Sequence, residues 1–88
     1  MNQTFETKLL LFSLDHKLPI IDIVENSNEC IYYLEGEDWK LYIKGFNRNT
    51  LETESVCSVV GEQGNLSLST SKLLNFSELE SLLLKFFT

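Results

Sequence analysis

The chain has 88 residues, with 13 acidic and seven basic side chains, so its formal net charge at pH 7 is −6. No apolar run approaches the roughly 18 residues that a membrane-spanning helix needs. The basic residues also lack the clustering that phosphate binding requires. Length and composition therefore predict one globular domain over residues 1–88, with neither nucleic acid nor a membrane as a direct partner.

The N-terminal segment has the spacing of an amphipathic helix. Phe5, Leu9 and Phe12 recur at i, i+4 and i+7, which predicts a helix over about residues 3–16. This helix should end before Leu18-Pro19, because the residue before a proline avoids the helical region. The next segment, PIIDIV, has the composition of a strand, and ENSN that of a polar turn.

The stretch CIYYLEGEDWKLYIKG predicts a hairpin centred on Gly36-Glu37, and a glycine at the first central position favours a type II′ turn. One face of this hairpin is apolar and predicts a core, with Leu34 opposite Trp39, Tyr32 opposite Leu41 and Cys30 opposite Ile43. The same register pairs, on the other face, Ile31 with Tyr42, Tyr33 with Lys40 and Glu29 with Lys44. The second face is thus also rich in apolar and aromatic side chains.

The second half of the chain predicts another hairpin and a closing helix. After a polar connection, FNRNTLE at residues 46–52, the strands ETESVCSVV and NLSLST flank GEQG, with Val59 opposite Leu66 and Cys57 opposite Leu68. Asn75 with Glu78 predicts a capping box at the start of the last helix. The predicted fold is α+β, in the order α-β-β-β-β-β-α: an antiparallel five-stranded meander sheet with an N-terminal and a C-terminal helix covering one face.

The residues that could carry chemistry do not form a catalytic or metal-binding motif. The single histidine, His16, follows Asp15 at the end of the first helix, and Cys30 and Cys57 lack the spacing of a zinc site. We therefore predict no enzyme, no cofactor and no metal site. Without a secretory leader pattern, the two cysteines are interpreted as buried, reduced thiols in a cytoplasmic protein.

Apolar surface in excess of what one core can hide predicts a protein partner. Both helices are apolar around more of their circumference than a single sheet covers, which favours a homodimer or an obligate complex. On the second face of the first hairpin, the predicted partner-binding residues are Ile31, Tyr33 and Tyr42, rimmed by Lys40 and Lys44. Two alternatives stay open: the helices could pack on each other and hide Leu10 and Leu84, and the first helix or FNRNTLE could cover that second face.

The segment HKLPIIDIVENSNECIYYLEGEDWKLYIKG resembles the N-terminal half of class I type III secretion chaperones, the Tir-chaperone (CesT-like) family. The later SELESLLLKFF is similar to how those proteins end. The resemblance implies a small acidic cytoplasmic homodimer that holds a segment of a secreted protein in extended form, without nucleotide or catalysis. Where the family has a further helix that contributes to its dimer interface, this chain has only FNRNTLE.

A second hypothesis uses the acidic residues of the first hairpin. Glu35, Glu37 and Asp38 crowd one turn, which suits an inhibitor or immunity protein that blocks a basic active site. Salt separates the two hypotheses. Binding through acidic residues should weaken steeply with ionic strength, whereas binding through an apolar face should depend little on it.

Overall fold

The computed structural model describes residues 3–45 and 48–87 and has the predicted order of elements. Its helices and strands are α1 (Phe5–Asp15), β1 (Ile20–Glu25), β2 (Cys30–Glu35), β3 (Trp39–Gly45), β4 (Ser58–Gln63), β5 (Leu66–Ser69) and α2 (Phe76–Phe86). The strands form one antiparallel sheet in the order β1-β2-β3-β4-β5. The predicted meander with a helix at each end is confirmed. Residues 46 and 47 of the predicted connection lie outside the described residues.

Both helices cover the same face of the sheet, and the core lies between the two layers. It consists of inward side chains of the sheet and one face of each helix, chiefly Tyr32, Leu34, Leu41, Ile43, Val59, Phe5, Leu9, Phe12, Phe76, Leu79 and Leu83. The predicted core face of the first hairpin is confirmed. Leu41 and Ile43 are fully buried, and Trp39 is half-buried with its ring 4.8 Å from that of Phe87.

The predicted register of the first hairpin is wrong by two residues. Leu34 lies opposite Leu41, Tyr32 opposite Ile43 and Cys30 opposite Gly45, while on the other face Ile31 pairs with Lys44 and Tyr33 with Tyr42. The Gly36 amide donates to the Trp39 carbonyl at 2.9 Å, so Glu37 and Asp38 are the central turn residues. Neither has a positive φ, and nor does Gly36, so the predicted type II′ turn is also wrong. Side chains alternate with a period of two, so the shift leaves each residue on its predicted face.

The second hairpin is shifted further along the chain than predicted. Gly61 lies opposite Leu68 and Gln63 opposite Leu66, so the turn residues are Gly64, with φ +57°, and Asn65. The predicted pairs Val59–Leu66 and Cys57–Leu68 are therefore wrong by four residues, because β4 continues through Gly61 to Gln63. Cys57 precedes β4 and forms an isolated bridge with Leu74.

A polar network fixes the helix side of the molecule. The Tyr32 hydroxyl donates to Glu6 Oε2 at 2.8 Å, and Arg48 Nε donates to the same oxygen at 2.7 Å. The Phe5 amide also donates to the Thr50 carbonyl at 2.7 Å. The described part of the connection therefore runs along the start of α1, rather than over the second face of the sheet.

The helices leave part of their apolar surface exposed. The rings of Phe5 and Phe12 pack edge-on against Phe76, which joins α1 to α2. This contact does not hide Leu10 or Leu84, which remain 38% and 42% exposed. The alternative in which the helices bury these two leucines against each other is therefore wrong.

Candidate functional site

The face of the sheet that the helices leave open carries a row of apolar and aromatic side chains. Across the strands, Tyr33 lies directly opposite Tyr42, and Tyr42 lies opposite Val60. The rings of Tyr33 and Tyr42 meet edge to face, with centroids 5.1 Å apart and an interplanar angle of 66°. Such a cross-strand aromatic pair stabilises both rings in a defined orientation on the surface.

A neighbouring row extends this surface toward the edge of the sheet. Val24 lies opposite Ile31, and Ile31 lies opposite Lys44. We define the outer-face patch as the five apolar or aromatic residues of these two rows: Val24, Ile31, Tyr33, Tyr42 and Val60. Tyr42 and Val60 are 44% and 52% exposed, and Ile31 and Tyr33 are half-buried between their neighbours.

Two lysines flank the outer-face patch, as predicted from the sequence. Lys40 Nζ lies 3.9 Å from Glu35 Oε1, and Lys44 Nζ lies 3.2 Å from Glu29 Oε1. Both lysine side chains are about half exposed, and exposed ion pairs of this kind contribute little to stability. Their ammonium groups can therefore exchange these carboxylates for those of a partner at small cost.

The structure thus brings all five predicted partner-binding residues onto one open face, although their predicted pairing was wrong. Sequence reasoning missed Val24 and Val60. The place of Val60 beside Tyr42 depends on the β3–β4 register, which the sequence pattern does not provide. Next to β1, the patch deepens into a groove of about 280 Å³ whose walls include Ile21, Val24 and Tyr42.

The acidic residues of the alternative site are spread over the first turn. Glu35 belongs to the ion pair with Lys40, and Glu37 and Asp38 are exposed at the tip. Glu62 lies opposite Lys40 on β4 and adds a fourth carboxylate nearby. Among residues 3–45 and 48–87, no three His, Cys, Asp or Glu side chains are placed to hold a metal ion together.

The residues considered for catalysis are held in structural positions. The His16 ring lies against Phe12, with centroids 4.3 Å apart. Cys30 and Cys57 are buried and not disulfide-bonded, and the Cys57 thiol donates to the Leu74 carbonyl at 3.3 Å. Burial raises the pKa of Cys57 to about 12, so the thiolate is scarce at neutral pH. The absence of enzymatic activity stays a prediction.

In the described part of the chain, the helices are too short to cross a bilayer. No family model matches the sequence, and it has no significant match among curated proteins or among solved structures.

Proposed function

We propose that this protein is a small protein-binding module that holds a segment of another protein against the outer-face patch. One observation carries the proposal: an edge-to-face pair of tyrosines, of which Tyr42 is 44% exposed, continues into aliphatic side chains on the face that the helices leave open. Exposed apolar patches on a small domain commonly mark interaction surfaces. Tyrosine is also enriched among the residues that dominate binding energy.

The form of the patch favours an extended segment over a globular surface. The apolar rows lie across open β-strands, and charged side chains border them on both sides. Apolar anchors of an extended segment can lie along the rows, while its polar groups reach Lys40, Lys44 or the adjacent carboxylates. This mode is what the resemblance to secretion chaperones implies, and the proposal extends it to this chain.

The proposal includes a cytoplasmic location. Two unpaired, buried cysteines support this location, because secreted domains of this size commonly use their cysteines in disulfides. It also includes the absence of a cofactor, since a docking surface of this kind works by burial and hydrogen bonding alone.

Peptides selected against the wild-type protein from a displayed random library provide the test. Tyr33→Ser combined with Tyr42→Ser should weaken the selected peptides at least tenfold, roughly the loss of one aromatic anchor, while circular dichroism stays unchanged. Leu66→Ser with Leu84→Ser is the matched control, because both leucines are exposed but lie away from the patch. Equal affinity of the tyrosine double variant and the wild type would refute the proposal.

The acidic turn supports the second candidate, an inhibitor of a protein with a basic active site. Its carrying observation is the exposure of Glu37 and Asp38 at the hairpin tip, with Glu62 adjacent. If this candidate is right, replacing Glu35, Glu37 and Asp38 with their amides should abolish binding. Raising the salt concentration should also weaken binding steeply, whereas the tyrosine variant should bind normally.

A further inference from the structure

Exposed apolar side chains concentrate at the β1 edge of the molecule. Leu14 of α1 and Ile21 of β1 are 74% and 58% exposed, and Leu10 and Val24 are also exposed. β1 is an end strand of the sheet. On its helix side, a groove of about 680 Å³ is lined by Leu10, Ser13, Leu14, Lys17, Leu18, Pro19 and Ile20. On its other side lies the groove that borders the outer-face patch.

The backbone of β1 also directs amides and carbonyls outward at this edge, where no other strand of the described chain pairs with them. The Asn26 amide donates to the Glu29 carbonyl at 2.8 Å. Hydrogen-bonded pairs alternate along an antiparallel ladder, so Val24 and Asp22 bond to β2, while Ile23 and Glu25 direct their amides and carbonyls outward. Consistent with this, the Ile23 amide donates to the Oδ1 of its own neighbour, Asp22, at 2.9 Å.

We propose that two copies of this chain associate through antiparallel pairing of their β1 strands, with a two-fold axis passing between the two Ile23 residues. In this arrangement each Ile23 amide donates to the Ile23 carbonyl of the other copy, replacing the Asp22 carboxylate. Asp22 then lies opposite Val24 of the second copy, and Glu25 lies near Ile21, the residue at which the pairing of β1 with β2 is irregular. No two carboxylates are directly opposed, and the exposed aliphatic side chains of both edges are brought together.

Charge favours this antiparallel arrangement. Lys17 precedes β1 and, among the residues that the structure describes, is the only charged one that lines the helix-side groove, whereas Glu25 ends the strand. Glu25 lies opposite Cys30, a core residue, so its side chain is on the helix side of the sheet. Antiparallel pairing therefore brings Glu25 of each copy to the end of the interface where Lys17 of the other copy lies. Parallel pairing would separate them.

The proposal does not depend on the function assigned to the outer-face patch. If it is correct, however, the two sheets become one, and the two patches lie side by side on the same surface. An extended partner could then span both copies.

Sedimentation equilibrium over a range of concentrations tests the proposal. The wild type should reach twice the 10.2 kDa of one chain. Val24→Lys, which places a charge at the edge, should raise the dimer dissociation constant at least tenfold or so, because edge lysines oppose strand pairing. Val60→Lys is the matched control and should leave the dimer dissociation constant unchanged, since Val60 is an exposed valine on the same face but on β4.

Charge reversal supplies a second, independent measurement. Lys17→Glu and Glu25→Lys should each weaken the dimer roughly fivefold, because each converts two symmetry-related attractions into repulsions, and combining them should restore the wild-type constant. The proposal would be overturned if the wild type remained a monomer at every concentration up to about 500 µM, because a dimer that dissociates at such concentrations is much weaker than a stable complex. It would also be overturned if Val24→Lys and Val60→Lys raised the dimer dissociation constant equally, or if the variant with both charges reversed dimerised more weakly than either single variant. The proposal would likewise be overturned if the wild type stayed monomeric but bound extended basic peptides at Val24. The β1 edge would then be a binding site for a different protein.

Discussion

At the scale of single residues, the Tyr32 hydroxyl connects the sheet to both α1 and the connection, through Glu6 and Arg48. A hydrogen bond to a charged group is typically stronger than one between neutral groups. We expect Tyr32→Phe to lower the free energy of unfolding by about 1–2 kcal/mol, measured by urea denaturation. Tyr42→Phe is the control, because Tyr42 is exposed; a cost as large for Tyr42 as for Tyr32 would contradict the assigned role.

Alkaline pH should destabilise the fold through two buried groups. Burial raises the pKa of Cys57 from an ordinary value of 9.0 to about 12, and burial together with its hydrogen bonds raises the pKa of Tyr32. Above about pH 9 the unfolded chain ionises its thiol and the folded chain does not. The contribution of the buried thiol to the free energy of unfolding is therefore fully present below pH 9. Above pH 9 the free energy of unfolding falls, by up to about 1.4 kcal/mol per pH unit for Cys57 alone.

Thermal melts between pH 8 and 11 check this expectation. Cys57→Ala should lower stability at pH 7, because packing is lost, yet its melting temperature should decline less between pH 9 and 10 than that of the wild type. An equal decline in both proteins would mean that Cys57 does not contribute.

Sequence reasoning identified which residues share the outer face, but not which of them touch. Tyr33 and Tyr42 were assigned to the open face correctly, because alternation depends only on parity along each strand. The Tyr33–Tyr42 pair and the place of Val60 beside it required the register, which the turns determine. The Tyr32–Glu6–Arg48 network was also missed, since its members are far apart in sequence and no local pattern relates them.

At the scale of elements, the first turn is determined by packing between a side chain and a glycine. A Cβ at Gly36 would overlap the indole of Trp39, which lies directly over it. This contact explains why residue 36 is a glycine although its φ is not positive. The predicted type II′ turn was wrong because it attributed the glycine to a positive φ.

Gly36→Ala should therefore displace Trp39 and lower the free energy of unfolding by about 1–3 kcal/mol, as overpacking does. Gly45→Ala is the control, because an added Cβ there meets no atom of the described residues within 4 Å and the backbone φ is not positive. Chemical denaturation with tryptophan fluorescence measures both. If Gly36→Ala were as stable as Gly45→Ala, the indole could not lie where the structure has it.

The end of α1 contains a residue in an unfavourable backbone conformation. Lys17 has φ +55°, the Leu18 amide donates to the Ser13 carbonyl, and the Lys17 amide donates to the Leu14 carbonyl, which together form a Schellman motif. Glycine is the residue usually found at this position, because it has no Cβ to strain the left-handed conformation.

Lys17→Gly should therefore raise the melting temperature, with a gain in stability of roughly 0.5–1 kcal/mol. Lys8→Gly, within the same helix, should instead cost about 1 kcal/mol. Calorimetry of the two variants gives the comparison, and a loss of stability at both positions would contradict the strained conformation of Lys17.

The elements themselves were largely predictable from sequence, and their connections were not. The α2 capping box is confirmed, with the Glu78 amide donating to Asn75 Oδ1 at 2.9 Å and the Asn75 amide donating to Glu78 Oε1 at 3.0 Å. Local hydrogen bonding determines such a feature. The glycine within β4 instead reflects a contact between strands, because a Cβ at Gly61 would overlap the side chain of Leu41 on β3.

At the scale of the whole molecule, both helices pack on one face of a five-stranded sheet and leave the other face to solvent. The serines of β4 and β5 make part of that face ordinary polar surface, whereas β1 to β3 carry most of the outer-face patch. Solubility alone does not require aromatic residues on a face that is open to solvent. This asymmetry across the sheet is the basis of the proposed function.

Amide chemical shifts recorded by NMR during titration with a peptide selected on the wild type test whether the outer-face patch is the binding surface, because they locate the contact without altering the protein. The largest changes should fall on residues 31–33, 42–44 and 60, with little change in α2. Changes centred on Glu37 and Asp38, or absent from β2 and β3, would contradict the claim.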